Sequence, residues 1–217
     1  MPRQLNFFHF LQRLRADTSG LALIEFAYSL PFMLLLSLGG FELANYAVTQ
    51  TRVSQLAVTL ADNASRAKQV IVGSNPRFRE FDVNEVFRAV ELQGGNMNIR
   101  QNGRVILSSV QRNSNGGQWI QWQRCMGQLN RRSSYGVQGA GRTGTSITAI
   151  GPAGRRVAAD AGSAIMFVEI FYEYQFLSMP DMISLPVIHK TAAMYVRDDR
   201  DLTQIYNPSP AAPVASC

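Results

Sequence analysis

The sequence predicts an α+β protein: a long N-terminal membrane-spanning helix continues into a stem and packs on a small antiparallel β-sheet domain with one short extra helix. Three observations carry this. Residues 21–43 are apolar apart from one acid near each end, Glu25 and Glu42. Beyond them, apolar residues recur at spacings of three and four, the period of a helix with one buried face. From Arg104 onward, two-residue alternation between Gly- and Asn-rich turns takes over, the pattern of strands.

Composition narrows the possibilities. Of 217 residues, 46% are hydrophobic, enough for a real core. Charged residues make up 17%, against about 25% in an average soluble domain. The net charge of +6 is unevenly spread. Residues 92–159 contain no acid, while arginines recur from Arg100 to Arg156. Cys125 and Cys217 are too few for a disulfide scaffold and too far apart for a zinc knuckle. His9 and His189 are the only histidines, so neither a metal nor any other cofactor is expected.

The elements follow in order. Residues 1–20 form a hydrophilic leader with Arg3, Arg13 and Arg15 against Asp17. That excess of arginine predicts a cytoplasmic N-terminus and an exported remainder. As a helix, residues 21–43 would extend about 34 Å, enough to cross a hydrocarbon core of about 30 Å. A cleaved signal peptide would instead end in a small-x-small site after a short apolar core. Here the apolar run passes through Ser37-Leu-Gly-Gly40 into a helix-like segment. Pro31 lacks an N–H and crowds the carbonyl of Ala27, so a kink is expected. Gly39 and Gly40 would permit close helix packing. Val53, Leu56, Leu60, Ala64, Ala67 and Ile71 then share one face, giving a single helix over 21–72, stopped by Gly73-Ser-Asn-Pro76.

Glu25 is the costly residue. A carboxylate at the bilayer centre costs about 2.5–3.5 kcal/mol, and less near the edge, so it marks a functional position. A basic leader, then Gly20, then an apolar run with Glu at its fifth position, resembles a type IV prepilin. Gly20, Glu25-Phe26, Pro31, the run Leu34-Leu-Leu36 and Phe41-Glu42 resemble the N-terminal segment of TadE-like proteins. These are pseudopilins or minor pilins of tight-adherence (Flp-type, type IVb) pilus systems. The resemblance spans about residues 13–60 and is weaker at Val168-Glu-Ile-Phe-Tyr-Glu-Tyr174 and Ala192-Ala-Met-Tyr-Val-Arg197.

The resemblance implies cleavage between Gly20 and Leu21 by a membrane-embedded prepilin peptidase at the cytoplasmic face. It implies other pilin and pseudopilin subunits, an inner-membrane assembly platform and membrane lipid as partners. The major pilins of these systems are very short, whereas this chain continues to Cys217, which favours a minor pilin or pseudopilin. Cleavage would create an amine at Leu21, one helical turn from Glu25. In a bundle, Glu25 of one subunit could pair with the Leu21 amine of the next, with Phe26 beside it. A paired charge is tolerated in low dielectric where a lone one is not. Alternatively, Glu25 snorkels to the interface of an ordinary anchor. Glu42 is expected to be solvated at the opposite edge.

In the exported part, 73–217, Asp82 reads as a helix cap with Glu85 at the third helical position. Val83, Val86, Phe87 and Val90 would form the buried face, and Gly94 the stop. Residues 104–112 and 118–124 read as a hairpin around Asn113-Ser-Asn-Gly-Gly117. In 164–176, Met166, Val168, Ile170, Tyr172, Tyr174 and Phe176 share one face. Glu169, Glu173 and Gln175 share the other, interrupted by Phe167 and Phe171. Residues 186–196 read as a fourth strand, and 127–162 as a long irregular excursion. Because Cys125 and Cys217 both lie on the expected exported side, with no third cysteine to compete, a disulfide between them is expected.

Other signals are set aside. Gly136-Val-Gln-Gly-Ala-Gly141-Arg142-Thr143 resembles a phosphate loop but lacks a preceding strand and a following helix start. The arginine-rich middle, with Trp119, Trp122 and Tyr135, could bind nucleic acid or an anionic polymer, yet a solvated basic surface explains it as well. His189 lies mid-strand, where a structural role is expected, and no catalytic constellation is visible. The reading is a non-enzymatic structural subunit with no nucleic-acid partner and no small-molecule substrate. The alternative is a membrane-anchored exported binding or adhesion module that never enters a filament.

Overall fold

The computed structural model describes residues 4–177 and 185–217, so Arg3 of the leader lies outside the described residues. The chain forms two units, Met1–Asn45 and Tyr46–Cys217.

In the first unit, α1 (Gln4–Ala16) precedes the start of α2 (Ser19–Arg66), which continues through Pro31. Leucine, phenylalanine and methionine side chains are exposed on every side of it, from Leu21 to Phe41. Glu42, expected to be solvated, is instead buried, at 7% exposure.

In the second unit, the last turns of α2 bury Val53, Leu56, Ala57, Leu60, Ala61 and Ala64. These residues have the spacing read from the sequence. The helix ends at Arg66 rather than at residue 72. Val70-Ile71-Val72 is β-branched throughout, and such residues lose side-chain freedom in a helix and fit a strand. The segment forms β1 (Gln69–Ile71), which turns at Gly73 (φ 81°) into antiparallel β2 (Ser74–Arg79). Arg200 secures the helix end. Its Nη1 donates to the carbonyls of Ala64 (3.0 Å) and Ala67 (2.6 Å), two acceptors left over at a helix C-terminus. The guanidinium also lies 4.7 Å over the Phe78 ring. Burial pushes its pKa down to about 10, opposed by nearby Asp198 and Asp82, so it stays cationic at neutral pH.

Helix α3 (Glu80–Gly94) starts before Asp82, correcting the expected cap. Asp82 instead occupies the third position. It accepts from the Arg79 backbone N–H (2.9 Å) and from the Arg79 guanidinium (2.7 Å), which holds the Arg79 pKa up. Glu80 takes the Arg124 guanidinium bidentately in a buried ion pair. Val83, Val86, Phe87 and Val90 are buried, and Gly94 ends the helix as read. A short α4 (Ile99–Asn102) leads into the main sheet.

That sheet is antiparallel, in the order β4-β3-β5-β6, from β3 (Gly103–Arg112), β4 (Gln118–Met126), β5 (Ala164–Tyr172) and β6 (Ile188–Tyr195). A second, three-stranded sheet was not foreseen. There β7 (Asp201–Tyr206) pairs parallel with β2, Arg77 opposite Asp201. Pairing between segments so distant in sequence leaves no local turn signature to read.

Both faces of the main sheet are covered. On one, Val105, Leu107, Met166, Val168, Ile170 and Tyr172 meet α2 and α3 residues in a single core. On the other, Val110, Ile120, Ile165 and Phe167 meet Ile150 and Ala159 of the 127–162 excursion. That segment is irregular, as expected, but it is a lid rather than a solvated loop. Gln118 fastens it, exchanging hydrogen bonds with the Ala159 carbonyl (3.0 Å) and N–H (2.7 Å). At Gly141 (φ 74°) a Cβ would lie 2.2 Å from the Gln118 carbonyl oxygen, so only glycine fits. Glu169, on the face shared with Phe167 and Phe171, is therefore completely buried.

Candidate functional site

The residues singled out by the sequence fall at two places, each within one unit. Gly20, Leu21, Glu25 and Phe26 lie on α2, close to its start. The Leu21 N–H bonds to the Thr18 carbonyl (3.1 Å), so the Gly20–Leu21 peptide belongs to the first turn. Leu21 and Glu25 are four residues apart and share a face. All four are exposed. Around a Cβ placed on Gly20 no heavy atom lies within 4 Å, and its φ is not positive. Neither packing nor backbone conformation requires glycine there, although a helical glycine costs up to about 1 kcal/mol relative to alanine. The same open space surrounds Gly39 and Gly40. This is the one helix among the described residues long and apolar enough to cross a membrane.

The second place is the far face of the main sheet. Cys125 of β4 and Cys217 are joined (S–S 2.10 Å, Cα–Cα 4.9 Å) across a separation of 92 residues. The Cys125 N–H donates to the Ala215 carbonyl (2.8 Å), so the tail lies along the β4 edge. Beneath the lid, Glu169 accepts from the Ser133 hydroxyl and from the Ser134 N–H (3.0 Å). His189 Nε2 stands 3.4 Å from Oε2, the oxygen that accepts from Ser134, with the imidazole stacked on Phe171 at 4.1 Å. Burial raises the Tyr135 pKa, and the nearby Glu169 charge adds to the shift.

This cluster was missed from the sequence. The signal that could have found it is Phe167 and Phe171, which flank Glu169 at spacings of two and so share its face. The order is serine, carboxylate, histidine. The Ser133 hydroxyl donates to Glu169 rather than to an imidazole, and the Ser134 N–H joins it, so the carboxylate fastens the loop. His189 lies within β6, mid-strand as read.

The glycine-rich stretch 136–143 runs on into turns, with no helix following it. Its Gly139 N–H and Ala140 carbonyl bond both backbone groups of Ile120 (2.7 and 2.9 Å), which occupies them against the β4 edge. The amides a phosphate would need are thus partly spent on holding the lid.

No protein-family model matches the chain, and comparison with curated proteins and with solved structures finds no match to either.

Proposed function

We propose that this chain is a pseudopilin or minor pilin that acts in assembly of a Flp-type pilus for surface attachment. In this reading it is a non-enzymatic bacterial inner-membrane protein with a single span. Its N-terminus is cytoplasmic and its sheet domain periplasmic. Prepilin peptidase would remove residues 1–20, and the mature helix would pack with those of other pilin and pseudopilin subunits.

One observation carries the reading. Gly20 sits in a helical turn that has no structural need of glycine, five residues before a carboxylate, on a helix whose large apolar side chains from Leu21 to Phe41 are uncovered. A peptidase gains from glycine at the scissile bond, because it offers no side-chain bulk and a backbone that opens easily. A bundle of such helices would cover the exposed leucines and phenylalanines. The Leu21 amine created by cleavage would meet Glu25 of a neighbour.

N-terminal sequencing of the native protein extracted from membranes tests this. The expected first residue is Leu21, with the apolar helix retained. A chain beginning at Met1 would favour the anchored-module reading. One beginning beyond about residue 40 would mean that the helix itself is removed as a signal peptide.

A further inference from the structure

Beside the disulfide, the exported unit holds a cleft of about 580 Å³. This falls in the range of about 300–1,000 Å³ typical of ligand sites. Its walls carry Arg104, Arg124, Arg131 and Arg132, and no acidic side chain lines it among the described residues. Its floor is apolar, with Ile106, Val137 and Val214 next to the cystine. Only Arg124 is neutralised, by the buried pair with Glu80. Arg104 donates from Nη1 to the Gly127 carbonyl (2.9 Å), but its Nε is buried with no hydrogen-bond partner. That Nε is sealed from solvent, so Arg104 contributes to the cleft through its positive charge rather than through a free donor. Arg131 and Arg132 are exposed, and no carboxylate among the described residues pairs with them.

The positions of these arginines are built in. Ser133 and Ser134, which follow them directly, are both fastened to the buried Glu169. A carboxylate that accepts two bonds beneath the lid thus helps to present two guanidinium groups at the cleft. Val137 is on the same loop, and the neighbouring Gln138 is held by the Gln123 N–H (3.1 Å) and by Arg124 Nη1 (3.1 Å).

We propose that this cleft is a docking site for an acidic peptide segment of a partner protein. A carboxylate would be taken by the exposed Arg131 and Arg132, and an adjacent apolar side chain would lie on the exposed Val137 and Val214. Guanidinium forks match carboxylates bidentately. The apolar floor selects a peptide over an inorganic anion or a sugar polyanion, neither of which has an apolar group to place there. Any protein with such a segment would serve, so the site does not depend on the pilus reading.

The test uses the full chain in detergent and a fluorescent hexapeptide of alternating glutamate and leucine, with its glutamine counterpart as control. The glutamate peptide is expected to bind, and to weaken as salt rises. The double variant R131Q/R132Q should weaken binding at least about tenfold, equivalent to about 1.4 kcal/mol. The variant R155Q/R156Q removes the same charge elsewhere on the lid and should bind as wild type does. Neither pair of exposed side chains is needed for folding, and equal thermal midpoints check this. Equal binding of the glutamine peptide overturns the proposal, as does equal loss in both double variants. Full displacement by inorganic phosphate or heparin at matched ionic strength overturns it in favour of an unselective anion site.

Discussion

Helix α2 passes through two environments, and its two halves teach different things about the same secondary structure. Up to Phe41 it shows apolar side chains on all sides and covers almost none of them. From Val53 to Ala64 it carries one apolar stripe and buries it to 5% exposure or less. A stripe is completed by the chain's own sheet, whereas an all-round apolar surface needs lipid or other helices to complete it. One half stabilises a domain and the other leaves its apolar surface for lipid or other helices to cover.

The sharpest way to break this contrast is at Glu25. In the proposed role, Glu25→Ala abolishes pilus-dependent attachment while membrane insertion holds or improves, because a costly acid has gone. The thermal midpoint of the exported unit stays unchanged. Normal attachment by this variant would reduce Glu25 to an interfacial bystander.

A matched pair of leucines measures the contrast directly. Leu60 is fully buried, so Leu60→Ala should destabilise the unit Tyr46–Cys217 by about 2–5 kcal/mol in urea unfolding. Leu35 is exposed, and Leu35→Ala should leave the same transition in place. Equal effects would show that the two halves unfold as one.

Next in size is the cystine. Replacing Cys217 with serine should lower stability by about 2–4 kcal/mol. Alkylation of native protein without reductant should label neither cysteine. Recovery of two free thiols would remove the tail from the β4 edge.

The smallest effect is acid sensitivity at Asp201. Its carboxylate accepts from the Thr203 hydroxyl and N–H and from the Tyr206 hydroxyl, which together hold its pKa below the usual value of 3.8. A depressed carboxylate contributes stability that is fully present above its unfolded pKa and is lost as pH falls through the folded one. Asp201→Asn should therefore lower the urea midpoint modestly at pH 7, and the gap from wild type should close towards pH 3. An equal gap at both values would assign the effect to packing.

Much of this architecture was legible because it is local. The Val53–Leu60 spacing, the Asn113–Gly117 turn and the alternation from Met166 to Tyr172 each announce an element within a few residues. What was not legible depends on distant partners. Arg200 reads as one more basic residue until it reaches the Ala64 and Ala67 carbonyls. For Glu169, alternation reports which residues share its face, not whether that face is covered. The lid that covers it has no period of its own. It is held by side chains such as Gln118 and Asn113, whose bonds to loop carbonyls leave no trace in hydropathy. The Gly20–Glu25 segment stands out in the sequence for the opposite reason. Its residues conflict with local economy, and such conflicts concentrate where a sequence serves something other than its own fold.

The bond between Cys125 and Cys217 also changes what kind of object the sheet domain is. Residues 125–217 form a covalent ring, with β5, β6, β7 and the whole lid inside it. A protease that nicks an exposed turn such as Pro152–Arg155 opens the ring but releases nothing, since both new ends remain tethered through the cystine. The domain thereby keeps its strands together after a first cut, and a second cut is needed before any piece can leave.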